Sequence, residues 1–168
     1  MGHKGDVPWS QARCGGRRRH AYLKNKVTWV RDDFVGLWAV ARRIDDAAGG
    51  QAGQFDGQAV LEPEAEQDLV YAEAGSLQMG AGPAMTATRT YRWHFVGDRV
   101  EVFFADGRPF HGFRPADGDV EAKHLCGADL YRVRYEFGAW PVWTARWEVR
   151  GPRKDYAMVT QYRRVSGL

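Results

Sequence analysis

The side chains able to do chemistry gather between Arg89 and Tyr156. His111 follows the pair Asp106-Gly107, His124 stands two positions before Cys126, and Arg89, Tyr91, Arg108, Asp129 and Tyr131 surround them in sequence. Three chemistries draw on these types. His111, His124, Cys126 and Asp106 are all metal-ligand types, yet the chain has neither Cys-X-X-Cys nor His-Glu-X-X-His, and His-X-Cys alone is not a metal signature, so no metal is expected. Cys126 beside His124 has the composition of a nucleophile and its base. On a strand, however, residues i and i+2 lie about 6–7 Å apart at Cα, and a buried, inert thiol is the expectation for Cys126. The third chemistry is acid–base work or anion recognition: Asp106, Asp129, Asp155, the two histidines, Tyr91, Tyr131 and Tyr156 converging on one cavity. Against it stands the reading that Arg89, Arg108, Arg150, Arg153 and Lys154 are consumed in structural ion pairs with those carboxylates.

Whether these groups meet depends on the elements that carry them. Met85, Ala87, Arg89, Tyr91, Trp93 and Phe95 fall at every second position, which is a strand period. Gly97-Asp98 and Asp106-Gly107 then break the pattern with residues that supply hairpin turns, so residues 85–113 read as three antiparallel strands. Arg89 sits on the mostly apolar face of the first. A charge there must be paired or solvated, which makes the interior a candidate pocket.

The rest of the chain has the same character. Residues 36–45, 53–61, 68–74, 122–126, 130–137, 142–150 and 156–164 read as strands, and residues 75–83 as a Gly-rich connector. Residues 62–66 form an acidic turn, and 151–156 a last hairpin turn with Asp155 or Tyr156 directed back to the barrel. Residues 29–34 suit one helical turn closing the barrel's end, with Asp32 or Asp33 as its cap. Asp129, Tyr131, Val133, Tyr135 and Phe137 share one face, as do Trp143, Ala145, Trp147 and Val149 on the next strand, while their alternates are mostly charged. The fold class is therefore all-β: a single antiparallel up-and-down barrel of about nine or ten strands, closed because closure removes exposed edges. An interior this rich in Tyr and Trp is suited to holding something.

Composition bounds the function. The 168 residues can bury one core, and 13% are aromatic. Residues 1–33 hold eight Lys/Arg against three Asp, whereas the remainder is slightly acidic, so the net charge of +3 reports the leader and not a nucleic-acid surface. The run Trp140, Trp143, Trp147 is accordingly read as core. Residues 1–27 are expected to be a disordered basic tail and 28–168 the barrel domain. Two cysteines, Cys14 and Cys126, make a poor staple, and no apolar run reaches the roughly 18 residues of a membrane span, so a cytoplasmic protein without nucleic-acid or membrane partners is expected.

Gly36-Leu37-Trp38 resembles the Gly-X-Trp signature of the calycin superfamily, the lipocalin-like barrels, in which the Trp plugs the floor; the resemblance implies that Arg163 or Arg164 packs on Trp38. More specifically, residues 34–164 resemble the domain of unknown function 6314 family. The stretches that carry this are Phe34-Val35-Gly36-Leu37-Trp38 with Arg42 and Ile44, Arg89-Thr90-Tyr91-Arg92-Trp93, residues 103–111, residues 124–131 and residues 149–156. This implies a calycin-like barrel and no established activity. Related haem-holding barrels of the nitrobindin kind would imply an axial His111 or His124, but nothing else marks haem and no cofactor is expected.

Together these readings predict a barrel that binds a small organic ligand, anionic or hydroxylated and partly apolar. Arg89, Arg108, His111 and His124 would fix its polar end, Trp93, Tyr131, Trp143 and Trp147 would give contact area, and Tyr91, Asp106 and Asp129 would complete the lining. An acid–base enzyme in the same cavity, of isomerase, cyclase or hydratase type, is the alternative.

Overall fold

The computed structural model describes residues 28–116 and 119–165; the expected tail lies outside them. A single helical turn, α1 (Arg31–Phe34), leads into β1 (Gly36–Asp46), β2 (Gln51–Ala65), β3 (Asp68–Met79), β4 (Met85–Val96), β5 (Arg99–Phe104) and β6 (Pro109–Phe113). The chain continues as β7 (Asp119–Cys126), β8 (Asp129–Ala139), β9 (Val142–Gly151) and β10 (Lys154–Arg164). They form one antiparallel sheet in the order β6-β5-β4-β3-β2-β1-β10-β9-β8-β7. Strands adjacent in sequence pair with one another except β6 and β7, and β1 pairs with β10 from Trp38 opposite Arg164 to Asp46 opposite Tyr156, which rolls the sheet into a nearly closed barrel. β6 and β7 are the two edges of the sheet. Rings bridge that seam: Phe113 lies 4.2 Å from Tyr135 of β8, and Phe110 lies 5.2 Å from His124 of β7.

The hairpins between β4 and β6 form where the alternation breaks. Gly97 and Gly107 both hold positive φ, 59° and 84°, which tight hairpin turns require and which a side chain would oppose. Residues 75–79 differ from expectation: they continue β3 instead of forming a connector. Gly75 is paired with Gly57 of β2, and the Phe55 ring lies over both, so that a Cβ at either would come within 2.6–2.8 Å of its Cζ. These glycines are small because the facing backbone and the Phe55 ring both come close, and not to make a loop. Strand β2 likewise begins at Gln51 and runs through most of the expected acidic turn to Ala65, with a register shift after Pro63, a residue that cannot donate to the ladder.

One end of the barrel is sealed. α1 lies across it, and Phe34 and Trp38 are wholly buried there. The indole of Trp38 donates to the Phe34 carbonyl at 2.9 Å. Arg164, not Arg163, covers Trp38, with its guanidinium 4.4 Å above the ring; it also donates to the carbonyls of Val35, at 2.7 Å, and Asp33. These are carbonyls a helix end leaves without intrahelical partners. Neither expected aspartate is the N-cap. Val30 occupies that position, and Asp33 serves from inside the turn by accepting the Val30 amide at 2.8 Å. Trp143 and Phe137 extend the plug inward, and Trp143 stacks on Tyr162 at 3.7 Å. Among the described residues, no helix is long and apolar enough to cross a membrane.

Candidate functional site

The other end is open. Every strand from β4 onward brings an end to it, and together they enclose a cavity of about 550 Å³. Its wall is aromatic: Tyr91, Phe110 and Trp147 form a stack, with Phe110 5.6 Å from Tyr91 and 5.3 Å from Trp147 and nearly parallel to the latter. Phe104 packs 4.5 Å from Phe110, and His124, Tyr131, Tyr156 and Met158 complete the circuit. Polar charge is confined to Arg89, Asp106 and Arg108.

Those three differ in what they have left to offer. Asp106 accepts the Arg108 backbone amide at 3.1 Å and the Arg108 Nε at 2.8 Å, bonds that hold its carboxyl below the usual range. Arg108 is thereby spent within its own turn, its guanidinium resting 5.5 Å from the Phe104 ring. Arg89 stands inside the barrel, directly across the ladder from Glu73, yet among the described residues it makes no ion pair. Its nearest polar dealings are with the Tyr91 hydroxyl, which burial raises above its ordinary value and Arg89 pulls back.

Deeper in, the carboxylate that faces Arg89 in register is claimed by a different arginine. Glu73 receives both Nη atoms of Arg42, at 2.9 and 2.6 Å, and Arg42 Nε donates to the Thr160 hydroxyl at 2.8 Å. Tyr71 donates to Glu73 and lies 3.3 Å from the Tyr162 hydroxyl. All five side chains are buried. Burial works against the Arg42 charge, but the bonds from Glu73 outweigh it and its pKa rises; burial first of all raises Tyr71 and Tyr162 as well. This closed network meets the aromatic plug at Tyr162, on which Trp143 stacks.

Between network and cavity lies a small space of about 40 Å³ that shares Arg89, Tyr91, Phe110, Trp147 and Met158 with the outer cavity. Trp93, His111 and Trp143 line it. His111 faces Tyr135, its Nε2 2.8 Å from the hydroxyl, and burial, with a smaller push from His124, lowers its pKa to about 3, leaving the imidazole neutral at physiological pH.

A family model matches residues 34–164, described as a family of unknown function, DUF6314. The chain belongs to that DUF6314 family. No curated protein matches it in sequence. Among solved structures it is similar to the S-type phycobiliprotein lyase from Guillardia theta, with a TM-score of 0.61 at 10% identity over 82% of this chain and 91% of that one, a likeness of fold. It is also similar to a redesigned β-barrel, mFAP0, bound to DFHBI, at a TM-score of 0.43 and 15% identity over 79% of this chain and 99% of that one.

In this DUF6314 barrel the sequence-predicted residues divide into layers. Arg89, Tyr91, Asp106, Arg108, His124, Tyr131 and Trp147 line the outer cavity; Trp93, His111 and Trp143 line the inner space; Asp129 is on neither wall. Asp129 instead holds Lys154 at 2.7 Å, which donates to the Tyr131 hydroxyl at 2.8 Å and so orients a wall residue. Cys126 is exposed at the rim, contrary to the expected buried thiol, because β7 ends there, at the open end and on an edge of the sheet. Among the described residues no three of His, Cys, Asp and Glu converge as metal ligands.

Phe110 escaped the sequence reading. Val102 pairs with His111 and Phe103 with Pro109, so Phe110 is an extra residue in a bulge and shares the interior with His111 where strict alternation would send it outward. Only Pro109, which cannot donate to a ladder, hinted at the irregularity. The Arg42–Glu73 pair had a clearer signal that was passed over: both are charges on otherwise apolar alternations, like Arg89.

Proposed function

We propose that the open end of the barrel binds a small organic anion with a partly aromatic body, as a lipocalin-like binding protein of the cytoplasm. The observation that carries this reading is Arg89: a guanidinium directed inward, without a carboxylate partner among the described residues, over a 550 Å³ cavity whose wall is a stack of rings. That volume is typical of sites that enclose most of a small molecule. Stacked faces of Tyr91, Phe110 and Trp147 favour a flat guest, and a planar guanidinium favours a carboxylate or sulfonate. The sparing use of cysteine supports a reducing compartment.

The test uses 8-anilinonaphthalene-1-sulfonate as probe, followed by its own fluorescence and by calorimetry. Arg89→Ala should weaken binding by about tenfold, and the uncharged parent N-phenyl-1-naphthylamine should bind more weakly than the sulfonate. Equal affinity of the two probes, or an unchanged affinity after Arg89→Ala, would remove the anion from the reading. An acid–base enzyme is the second reading. It has His124 on the wall as its imidazole, since Asp106 and Asp129 are held in ion pairs. Native mass spectrometry of a co-purified compound, then incubation of that compound with catalytic amounts of protein, separates binding from turnover.

A further inference from the structure

We infer that the floor of the cavity is a distinct subsite for an uncharged hydrogen-bonding group, a phenolic hydroxyl or a carbonyl, at the buried end of the ligand; the inference rests on the anion being held at the open end. Two buried nitrogens carry it. Among the described residues, His111 Nδ1 and Trp143 Nε1 are both shut off from solvent and have no hydrogen-bond partner. Both side chains line the 40 Å³ space, which adjoins the outer cavity across their shared wall of Phe110, Trp147 and Tyr91. Folded proteins rarely leave one such atom unsatisfied, and two on side chains that border one hollow point to a group that completes them.

The chemistry of that group follows from its neighbours. Arg42, Glu73, Tyr71 and Tyr162 satisfy one another, so the network beneath offers no charge to a guest. His111 remains neutral over the physiological range, and its Nε2 is engaged by Tyr135. The Trp143 indole can only donate, so the guest atom must accept. The His111 Nδ1 accepts or donates according to how Tyr135 sets the tautomer. A hydroxyl meets either tautomer, accepting from Trp143 and donating to or accepting from His111. A carbonyl meets the Nδ1–H form with its two lone pairs. A space of about 40 Å³ exceeds the roughly 10–15 Å³ that one water needs but is too small for a ring, so it fits the terminal group and leaves the ring that bears it among Phe110 and Trp147.

The experiment compares matched probes on the intact protein by calorimetry at neutral pH: ω-(4-hydroxyphenyl)alkanoates against ω-phenylalkanoates in a series of increasing chain length, and p-cresol against toluene. At one chain length the hydroxylated acid should bind roughly tenfold tighter than its parent, and p-cresol should exceed toluene by a similar factor. His111→Phe and Trp143→Phe should each erase that preference while leaving the unsubstituted probes nearly unaffected. Equal affinities within every pair, or a preference that survives both substitutions, would mean that the floor takes ordered water alone and would overturn the subsite. Arg89→Ala should weaken both alkanoates alike and spare the neutral pair. If the alkanoates fail to bind but p-cresol still exceeds toluene, the anion reading falls and the floor stands. The wild-type comparison needs no variant, so a substitution that unfolds the barrel does not decide the question.

Discussion

Arg42 and Arg89 both point into the same barrel, beside the same glutamate, and they meet different fates. Arg42 is buried, and Glu73 takes its guanidinium in two bonds while Thr160 takes the remaining Nε. Arg89 lies directly across the ladder from Glu73 but is exposed to the open cavity, with no carboxylate of its own. The same contrast runs through the aromatics. At the sealed end Phe34, Trp38 and Trp143 have essentially no exposure, whereas at the open end Tyr91 and Trp147 stack on Phe110 around empty volume. Residue type therefore does not separate structure from site in this protein. The presence of a partner does, because a buried charge must be neutralised to be tolerated, while a charge kept in water at a cavity wall remains available to a guest.

The sharpest way to break this comparison is to remove the shared glutamate and the unpaired arginine separately. Glu73→Ala strands the Arg42 charge in the interior and should cost about 3–5 kcal/mol, read from the urea midpoint. Arg89→Ala should change the unfolding free energy by no more than about 0.5 kcal/mol. Similar costs for the two would mean that the halves are not energetically distinct.

Arg164 and Arg108 test the same idea at the two ends. Arg164 covers Trp38 and holds carbonyls of α1, so Arg164→Gln should cost about 1.5–3 kcal/mol, the worth of hydrogen bonds from a charged group. Arg108→Gln at the exposed rim should leave the thermal midpoint in place. A larger loss at the rim than at the floor would reverse the assignment.

A smaller, pH-resolved effect belongs to the boundary between the halves. The folded-state pKa of His111, about 3, lies below the ordinary value of 6.5, so the unfolded chain binds the proton first. The stability that neutral His111 permits is complete above pH 6.5 and is lost as pH falls from there toward 3, with a slope of at most ~1.4 kcal/mol per pH unit. Urea midpoints between pH 7 and pH 5, before most carboxylates titrate, should fall in the wild type and flatten in His111→Phe. The same slope in both would show that the imidazole is not held neutral by its surroundings.

Much of this arrangement could be read without coordinates. The alternation from Met85 to Phe95, broken by Gly97-Asp98 and Asp106-Gly107, located three strands and their turns because the side-chain period and the positive φ of glycine are local properties. The inward faces of β8 and β9 followed from the same period. Gly75 was misread because its smallness serves a ring from a neighbouring strand, a cause absent from its own segment. Phe110 was missed because a bulge inverts its side, and bulges are set by the register of two strands together.

The amino-acid sequence by itself determined an all-β chain with an aromatic, sparsely charged interior, since periodicity and turn chemistry act over a few residues at a time. Which arginine is neutralised, which rings pack solid and which surround a cavity, and which two nitrogens beside the inner space are left without partners were decided only when β1 paired with β10 and rolled the strands into one barrel. Pairing, burial and space are properties of residues that lie far apart in the chain, and no local pattern carries them.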